Sequence, residues 1–252
     1  MGAAEVAERG LGGPVDLGSR ERLPEWMDQP DLPREEHRLA LRGLARLNRL
    51  AAVARGMCTR LEAFARASGL RRLRVLELAS GGGDNALALV RRAERRGLAL
   101  DYVGLDLSPV AVQLATARAE LAPRAAGCSL RFSQADVLED PWPEGVHAVV
   151  SSLFLHHLSE AQLLALFARI GREAPGCFVV SDLERSRFGY LLASSVPPLV
   201  TVSPVVRLDA RLSVRAALRR DELLDLARRA GLDQARVERR FPARLELIGG
   251  QL

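Results

Sequence analysis

From Leu73 onward, short apolar runs, RVLELA, LDYVGLD, SLRFSQAD, VHAVVSSL and CFVVSDL, alternate with stretches of helical periodicity at Ala86 to Arg96, Pro109 to Leu121 and Glu160 to Arg172. Strands that alternate with amphipathic helices are joined by right-handed crossovers, and a parallel sheet built this way is buried on both faces. The pattern predicts an α/β fold, with a doubly wound, mostly parallel sheet between helical layers. After Asp182 the chain is less regular to about Ser213. A helix from about Arg219 to Ala230, ended by Gly231, precedes two strand-like runs, Gln234 to Arg240 and Arg244 to Ile248, separated by Phe241-Pro242-Ala243. A close hairpin there places an antiparallel strand inside the sheet and brings it to seven strands.

The chain before Leu73 divides differently. Residues 1–20 are small, polar and glycine-containing and read as a flexible tail. The prolines of LPEWMDQPDLP set a turn-rich entry. From Arg34 to Ser68, Leu39, Leu44, Leu47 and Leu50 recur at helical spacing, which predicts two helices with a break near Gly56. Residues 21–70 are thus expected as an N-terminal helical cap on a core at 71–252, with a substrate-binding insertion at about 184–215.

Composition removes several chemistries. All 36 basic residues of the 252-residue chain are arginine, so every mechanism that needs a lysine amine is excluded, including a P-loop clamp, a Schiff base and a lysine-assisted dehydrogenase. Cys58, Cys128 and Cys177 form no CxxC pair, and His37, His147, His156 and His157 fall in no zinc-ligand spacing, so neither a disulfide framework nor a metal site is expected. With no signal-like start and no long apolar run, the reading is a soluble cytoplasmic protein. The net charge of +5 comes from arginines spread beside glutamates, and only 4% of residues are aromatic, which disfavours a nucleic-acid partner.

The strongest local signal is VLELASGGGDNA, residues 75–86, where a strand runs into a glycine cluster and then a helix. Glycine allows a sharp bend and a close ligand approach, and the helix start presents free N–H groups. Gly81-x-Gly83-x-x-Ala86 also satisfies the dinucleotide fingerprint, so an NAD-dependent oxidoreductase stays open at this point. Three acids follow the strands: Glu77 inside the first, Asp106 ending the second and Asp136 ending the third. All fall at the carboxyl edge where ligands sit in such sheets. Asp106, about 23 residues beyond Gly83, is placed to accept from both ribose hydroxyls. Asp136 can accept from an adenine amine, with Leu107 and Val137 flanking the ring.

These residues resemble the class I S-adenosylmethionine-dependent methyltransferases, and more loosely a bacterial group acting on aromatic or polyketide-type small molecules. Glu77-Leu78-Ala79-Ser80-Gly81-Gly82-Gly83 looks like that family's acidic residue followed by GxGxG, with Ala79 in place of the usual first glycine. The resemblance implies a Rossmann-like fold with S-adenosylmethionine as cofactor. It implies that Glu77 orients the methionine amino group through the turn, that Ala79, Ser80, Gly81 and Gly83 line the cofactor with Asn85, and that Asp106 and Asp136 hold ribose and adenine. Asn48 and Arg46 are candidates to close over the methionine carboxylate.

The acceptor end is less determined. The fourth strand ends in Ser151-Ser152-Leu153-Phe154, where methyltransferases of DNA-base amines carry an NPPY-like tetrapeptide, and no cysteine is placed to attack a cytosine ring. His156 and His157, just beyond, are the candidate catalytic bases, with His37 as an alternative, since an imidazole can take a phenolic or enolic proton near neutral pH. Asp182 stands as a lone acid at the rim. Leu39, Leu44, Leu47, Phe188, Tyr190, Leu191, Leu192, Val196 and Leu199 would form an apolar acceptor pocket or a homodimer face. The expected reaction is methyl transfer to a hydroxyl of a small aromatic or polyketide-type metabolite, with no membrane partner. C-methylation, a catalytically silent S-adenosylmethionine-binding protein and RNA methylation are the alternatives.

Overall fold

β1 (Arg72–Leu78) lies within a seven-stranded sheet of order β3-β2-β1-β4-β5-β7-β6. The other strands are β2 (Ala99–Asp106), β3 (Ser129–Gln134), β4 (Ala148–Ser152), β5 (Cys177–Leu183), β6 (Arg236–Arg240) and β7 (Arg244–Gly250). The first five pair in parallel, while β7 runs antiparallel to both β5 and β6. The terminal hairpin is therefore inserted as its sequence predicts. The computed structural model describes residues 15–29, 31–122, 127–173 and 176–250. Of the expected tail, residues 1–14 lie outside the described residues.

Nine α-helices are named among the described residues: α1 (Arg34–Leu50), α2 (Val53–Ala67), α3 (Asp84–Glu94), α4 (Pro109–Leu121), α5 (Glu160–Glu173), α6 (Arg187–Ser195), α7 (Pro197–Val200), α8 (Pro204–Ala216) and α9 (Arg220–Arg229). The stretch read as less regular, from Asp182 to about Ser213, is mostly helical. Its helices start by rules visible in the sequence, since Ser186 and Ser203 accept from the backbone N–H groups of Gly189 and Val206 at 3.0 and 3.4 Å.

Alternation along each strand sorts the core. Leu73 and Val75 of β1, Val150 of β4 and Val179 of β5 pack with Met57, Leu61 and Phe64 of α2 and Leu89 of α3. Leu76, Leu78, Val149 and Val180 point the other way, onto Leu163 and Phe167 of α5 and Leu226 of α9. α2 thus belongs to a helical layer of the sheet rather than to a cap over its edge. The break between α1 and α2 falls at Ala51–Ala52, where Ala52 adopts φ 52°, rather than near Gly56. Gly56 has a packing role instead, because a Cβ there would stand 2.7 Å from Glu246 Oε1.

The chain winds outward from β1 to β2 and β3, then returns to the other side of β1 for β4. The reversal opens a crevice between the carboxyl ends of β1 and β4.

Candidate functional site

That crevice is the mouth of a cavity of about 990 Å³. Its floor is the turn after β1, held by Ser80 N donating to Leu105 O at 2.9 Å and Gly83 N donating to Ser80 O at 3.1 Å. Ala79, Gly81 and Gly83 have φ of 53°, 53° and 72°. The left-handed region costs an alanine about 1 kcal/mol, so Ala79 holds a conformation for which glycine is the cheaper residue. Ala79, Ser80, Gly81 and Gly82 line the cavity, whereas Gly83 does not. Gly83 sits behind the turn, where a Cβ would approach Phe132 Cζ to 2.8 Å and Ala115 Cβ to 3.0 Å. Its lack of a side chain lets α4 and β3 pack against the turn, a structural rather than a ligand-facing role.

At one end, Asp106 Oδ2 accepts from Gly81 N at 2.7 Å and Oδ1 from Ser108 N at 2.9 Å. Burial raises its pKa against the opposing pull of these two N–H groups. Each carboxylate oxygen keeps a lone pair for another donor. Asp136 lies just past β3, with Oδ1 accepting from Leu138 N at 2.8 Å. Exposed Leu107 and buried Val137 line the cavity between the two acids. His37 of α1 lines the same end, and burial lowers its pKa against the raising influence of Asp106 and Asp28.

Glu77 stands behind the turn. It does not line the cavity, because its place in β1 turns it to the α2–α3 face beside Tyr102 and Asp84. Burial pushes its carboxyl well above the usual range, against the smaller pull of the Tyr102 hydroxyl, and Oε2 has no hydrogen-bond partner among the described residues. Asn85 and Asn48 do line the cavity. Asn85 Nδ2 donates to Ser152 Oγ at 2.5 Å, joining the turn to the end of β4. Asn48 Nδ2 donates to Asp84 Oδ2 at 3.3 Å, while its Oδ1 accepts from Arg244 Nη2 at 2.9 Å. Arg46 is exposed on α1 and donates to Val200 O at 3.2 Å, away from the cavity.

Residues 75–173 match the family model described as a methyltransferase domain. This stretch is therefore similar to a methyltransferase domain. Over 81 residues, 32% of this chain and 33% of the relative, it is 38% identical to a protein named demethylmenaquinone methyltransferase in Thermus thermophilus. The plantazolicin methyltransferase BpumL, solved in complex with SAH, superposes with a TM-score of 0.62 at 12% identity, covering 88% of this chain and 91% of that one. Magnesium protoporphyrin IX methyltransferase from Synechocystis PCC 6803 gives 0.55 at 14% identity, over 97% and 93%. SibL gives 0.53 at 22% identity, over 71% of this chain and 50% of SibL. The chain thus spans a third of the Thermus relative and half of SibL. These structural likenesses concern the fold.

At its other end the cavity is lined by His156 and His157 of the turn after β4. Asp182 is no rim acid. It is buried on β5, with Oδ2 accepting from His156 N at 3.0 Å and Oδ1 2.7 Å from His156 Nδ1. Burial alone would raise Asp182, but the His156 imidazole and the backbone N–H groups of Leu183 and His156 outweigh it and hold the carboxyl below its ordinary value. A carboxylate can only accept, so Nδ1 of His156 carries a proton there, and Nε2 is turned away from Asp182, 3.7 Å from Glu25 Oε1. His157 Nδ1 lies 2.8 Å from Asp28 Oδ2. Burial pulls the His157 pKa down, yet the Asp28 bond and the charges of Glu25 and Asp182 push it up to about 9. His157 is consequently cationic at neutral pH in this state and is no proton acceptor there.

Sequence reasoning missed the segment that covers this end. Residues 15–20 are fastened, not loose: Arg20 Nε donates to Ala216 O at 2.6 Å, and Nη2 donates to the carbonyls of Leu155, His156 and Leu158 at 3.1, 3.2 and 2.9 Å. The following strap carries Glu25 and Asp28 into the cavity wall. Asp209 of α8 clasps it by accepting from Trp26 N and Met27 N at 2.9 and 2.8 Å, while burial and the Glu25 charge push Asp209 up to about 7. Ser213 Oγ donates to Glu25 Oε1 at 2.7 Å. Leu44, Leu47, Leu192 and Val196 of the expected apolar pocket line the cavity. Leu39, Phe188, Tyr190, Leu191 and Leu199 do not.

Proposed function

We propose that the protein is an S-adenosylmethionine-dependent methyltransferase acting on a hydroxyl of a small aromatic or polyketide-type metabolite. The observation that carries this reading is the single cavity with two unlike ends. Asp106, Asp136, Leu107 and Val137 suit a ribose and an adenine, and a histidine fixed by a buried carboxylate stands at the other end. The residues fit the cofactor, because the bend at Ala79–Gly82 presents backbone to open volume and no side chain fills the edge. Bound there, S-adenosylmethionine supplies an electrophilic methyl group on sulfur.

Asp106 binds the ribose hydroxyls, and Asp136 accepts from the adenine amine. Ala79, Ser80 and Gly81 give backbone contacts to the methionine end, beside Asn85 and Asn48. α1 with the strap, and the helices of 184–215, enclose the acceptor and exclude water. Displacement at sulfur needs an aligned nucleophile, and the acceptor hydroxyl passes its proton to Nε2 of His156 as the new C–O bond forms. Asp182 steadies the imidazolium that results. Two similar proteins favour a ring-bearing acceptor: the Thermus relative is named for demethylmenaquinone, and a family 2 O-methyltransferase from Planctomyces limnophilus with TM-score 0.51 was solved in complex with apigenin. C-methylation of a similar ring uses the same alignment.

No described helix is long and apolar enough to cross a membrane. Calorimetric titration with S-adenosylhomocysteine and NAD, followed by a phenol and polyketide panel scored by mass spectrometry for a methyl gain, tests the assignment. Binding of S-adenosylhomocysteine alone with methylated product supports it. Binding of NAD in its place overturns it, and cofactor binding without any product favours a silent binding protein.

A further inference from the structure

We propose that Glu25, His156 and His157 form a binding site for one divalent transition-metal ion of the zinc type, opening on the acceptor end of the cavity. One ring nitrogen of each histidine and one Glu25 oxygen lie within 4.8 Å of one another, and Nε2 of His156 is 3.7 Å from Glu25 Oε1. Ligands about 2.1 Å from a zinc ion stand roughly 3 to 3.5 Å apart, so closing on the ion needs movements of about an ångström or less. Two imidazoles and one carboxylate are donors such ions take while leaving positions open for a further ligand.

The outer contacts are what separate this cluster from a chance meeting of polar groups. A metal-bound histidine generally gives its second ring nitrogen to a carboxylate, which fixes the ring and frees the other nitrogen for the ion. Both histidines meet that condition: Nδ1 of His156 is 2.7 Å from Asp182 Oδ1, and Nδ1 of His157 is 2.8 Å from Asp28 Oδ2. The third ligand is oriented as well, since Glu25 Oε1 accepts from Ser213 Oγ at 2.7 Å. Glu25 and His156 are 7% and 3% exposed, so the site is largely withdrawn from water. Carboxylates also dominate it: Glu25, Asp28, Asp182 and Asp209 surround two imidazoles, and the nearby Arg20 and Arg22 spend donors on the carbonyls of the same turn.

The inference deepens the proposed function, because it rests on this being the acceptor end. The open positions of the ion would hold the acceptor oxygen beside the methyl-donor end of the cavity. A coordinated hydroxyl ionises near neutral pH, its proton passing to water and the oxygen remaining as the nucleophile. When the ion is bound, the His156 lone pair is a ligand and not a base.

The test uses the full chain, stripped with dipicolinate and titrated with Zn²⁺ by calorimetry and with Co²⁺ by visible absorption. One equivalent of each ion is expected, with the d–d bands of a protein-bound Co²⁺. Glu25→Gln and His157→Gln should each weaken both signals by on the order of 100-fold or more, while thermal denaturation and S-adenosylhomocysteine affinity stay near wild type. The site is refuted by a Co²⁺ spectrum equal to the aqueous ion, or by affinities that neither variant changes. Should one variant fail to fold, the other and the wild-type spectrum decide. Stoichiometric metal without methyl transfer to any acceptor would sink the proposed function and leave the site standing. Full turnover by the stripped chain, with no metal bound on titration, would do the reverse.

Discussion

Asp182 grips His156 at two points, accepting from its backbone N–H at 3.0 Å and from its Nδ1 at 2.7 Å, so one carboxylate sets both the position of the turn and the tautomer of the ring. The residues are 26 positions apart and meet because β4 and β5 pair in parallel, with Ser152 opposite Ser181. Asp182→Asn keeps the shape but offers an amide N–H to Nδ1, which favours the tautomer with its proton on Nε2. General-base steps contribute about 10² to 10⁴ in rate, so turnover of a responsive phenol should fall by roughly 100-fold or more, with S-adenosylhomocysteine affinity unchanged. Steady-state kinetics beside calorimetry check this. Unchanged turnover would leave alignment alone as the source of rate.

Glu77 offers a stability test free of the acceptor. Its folded pKa is raised well above 4.5 by burial, so between that value and the folded one the unfolded chain has released a proton that the native chain still holds. Stability therefore falls as pH rises through this window, by up to about 1.4 kcal/mol per pH unit, and is greatest below the unfolded pKa. Glu77→Gln removes that slope. The variant should be more stable than wild type at pH 7 by on the order of 1 kcal/mol, and equal to it near pH 4, when urea unfolding is followed at several pH values. Its S-adenosylhomocysteine affinity should hold. A large loss of affinity would show that Glu77 orients the ligand through the turn.

Much of this could be read in advance because it depends on local pattern. Two-residue alternation and the glycine bend identify the sheet edge, and Asp106 falls where a β2 end must. Asn85 and Val137 follow from the same register. Glu77 and Gly83 do not line the cavity, because a motif gives spacing but not which side of the turn each side chain takes. Strand parity sends Glu77 to the α2 face, and Gly83 is small for the sake of Phe132 and Ala115. The strap was illegible for a different reason. Glu25 meets Ser213 across 188 positions, and no periodicity reports a contact of that range.

Ala79 sits at φ 53° on the cavity floor, a backbone conformation for which glycine is the cheaper residue. Ala79→Gly relieves about 1 kcal/mol of left-handed strain and costs roughly 0.5 to 1 kcal/mol of extra unfolded-chain entropy. Net stability should change by less than about 0.5 kcal/mol. Removing the methyl group also widens the floor beside the methionine end, so S-adenosylhomocysteine should bind equally or a few-fold more tightly. Calorimetry settles it, and a marked loss of affinity would mean that the Ala79 methyl makes a contact the ligand needs.

Arg20 ties the strap to the histidine turn, through one bond to Ala216 O and three to the carbonyls of Leu155, His156 and Leu158. Arg20→Met retains the apolar stem but leaves these acceptors to water or to nothing. Losing a partly buried charged donor with several partners costs about 2 to 3 kcal/mol, seen as a lower denaturation midpoint with an unchanged urea slope. The damage should be local to the acceptor end. Acceptor KM should rise, because the strap that carries Glu25 and Asp28 loses its anchor on the turn. S-adenosylhomocysteine affinity should stay within about two-fold, since Asp106 and the Ala79–Gly82 bend keep all their own contacts. Equal losses at both ends would show that the strap, rather than the sheet edge, sets the shape of the whole cavity.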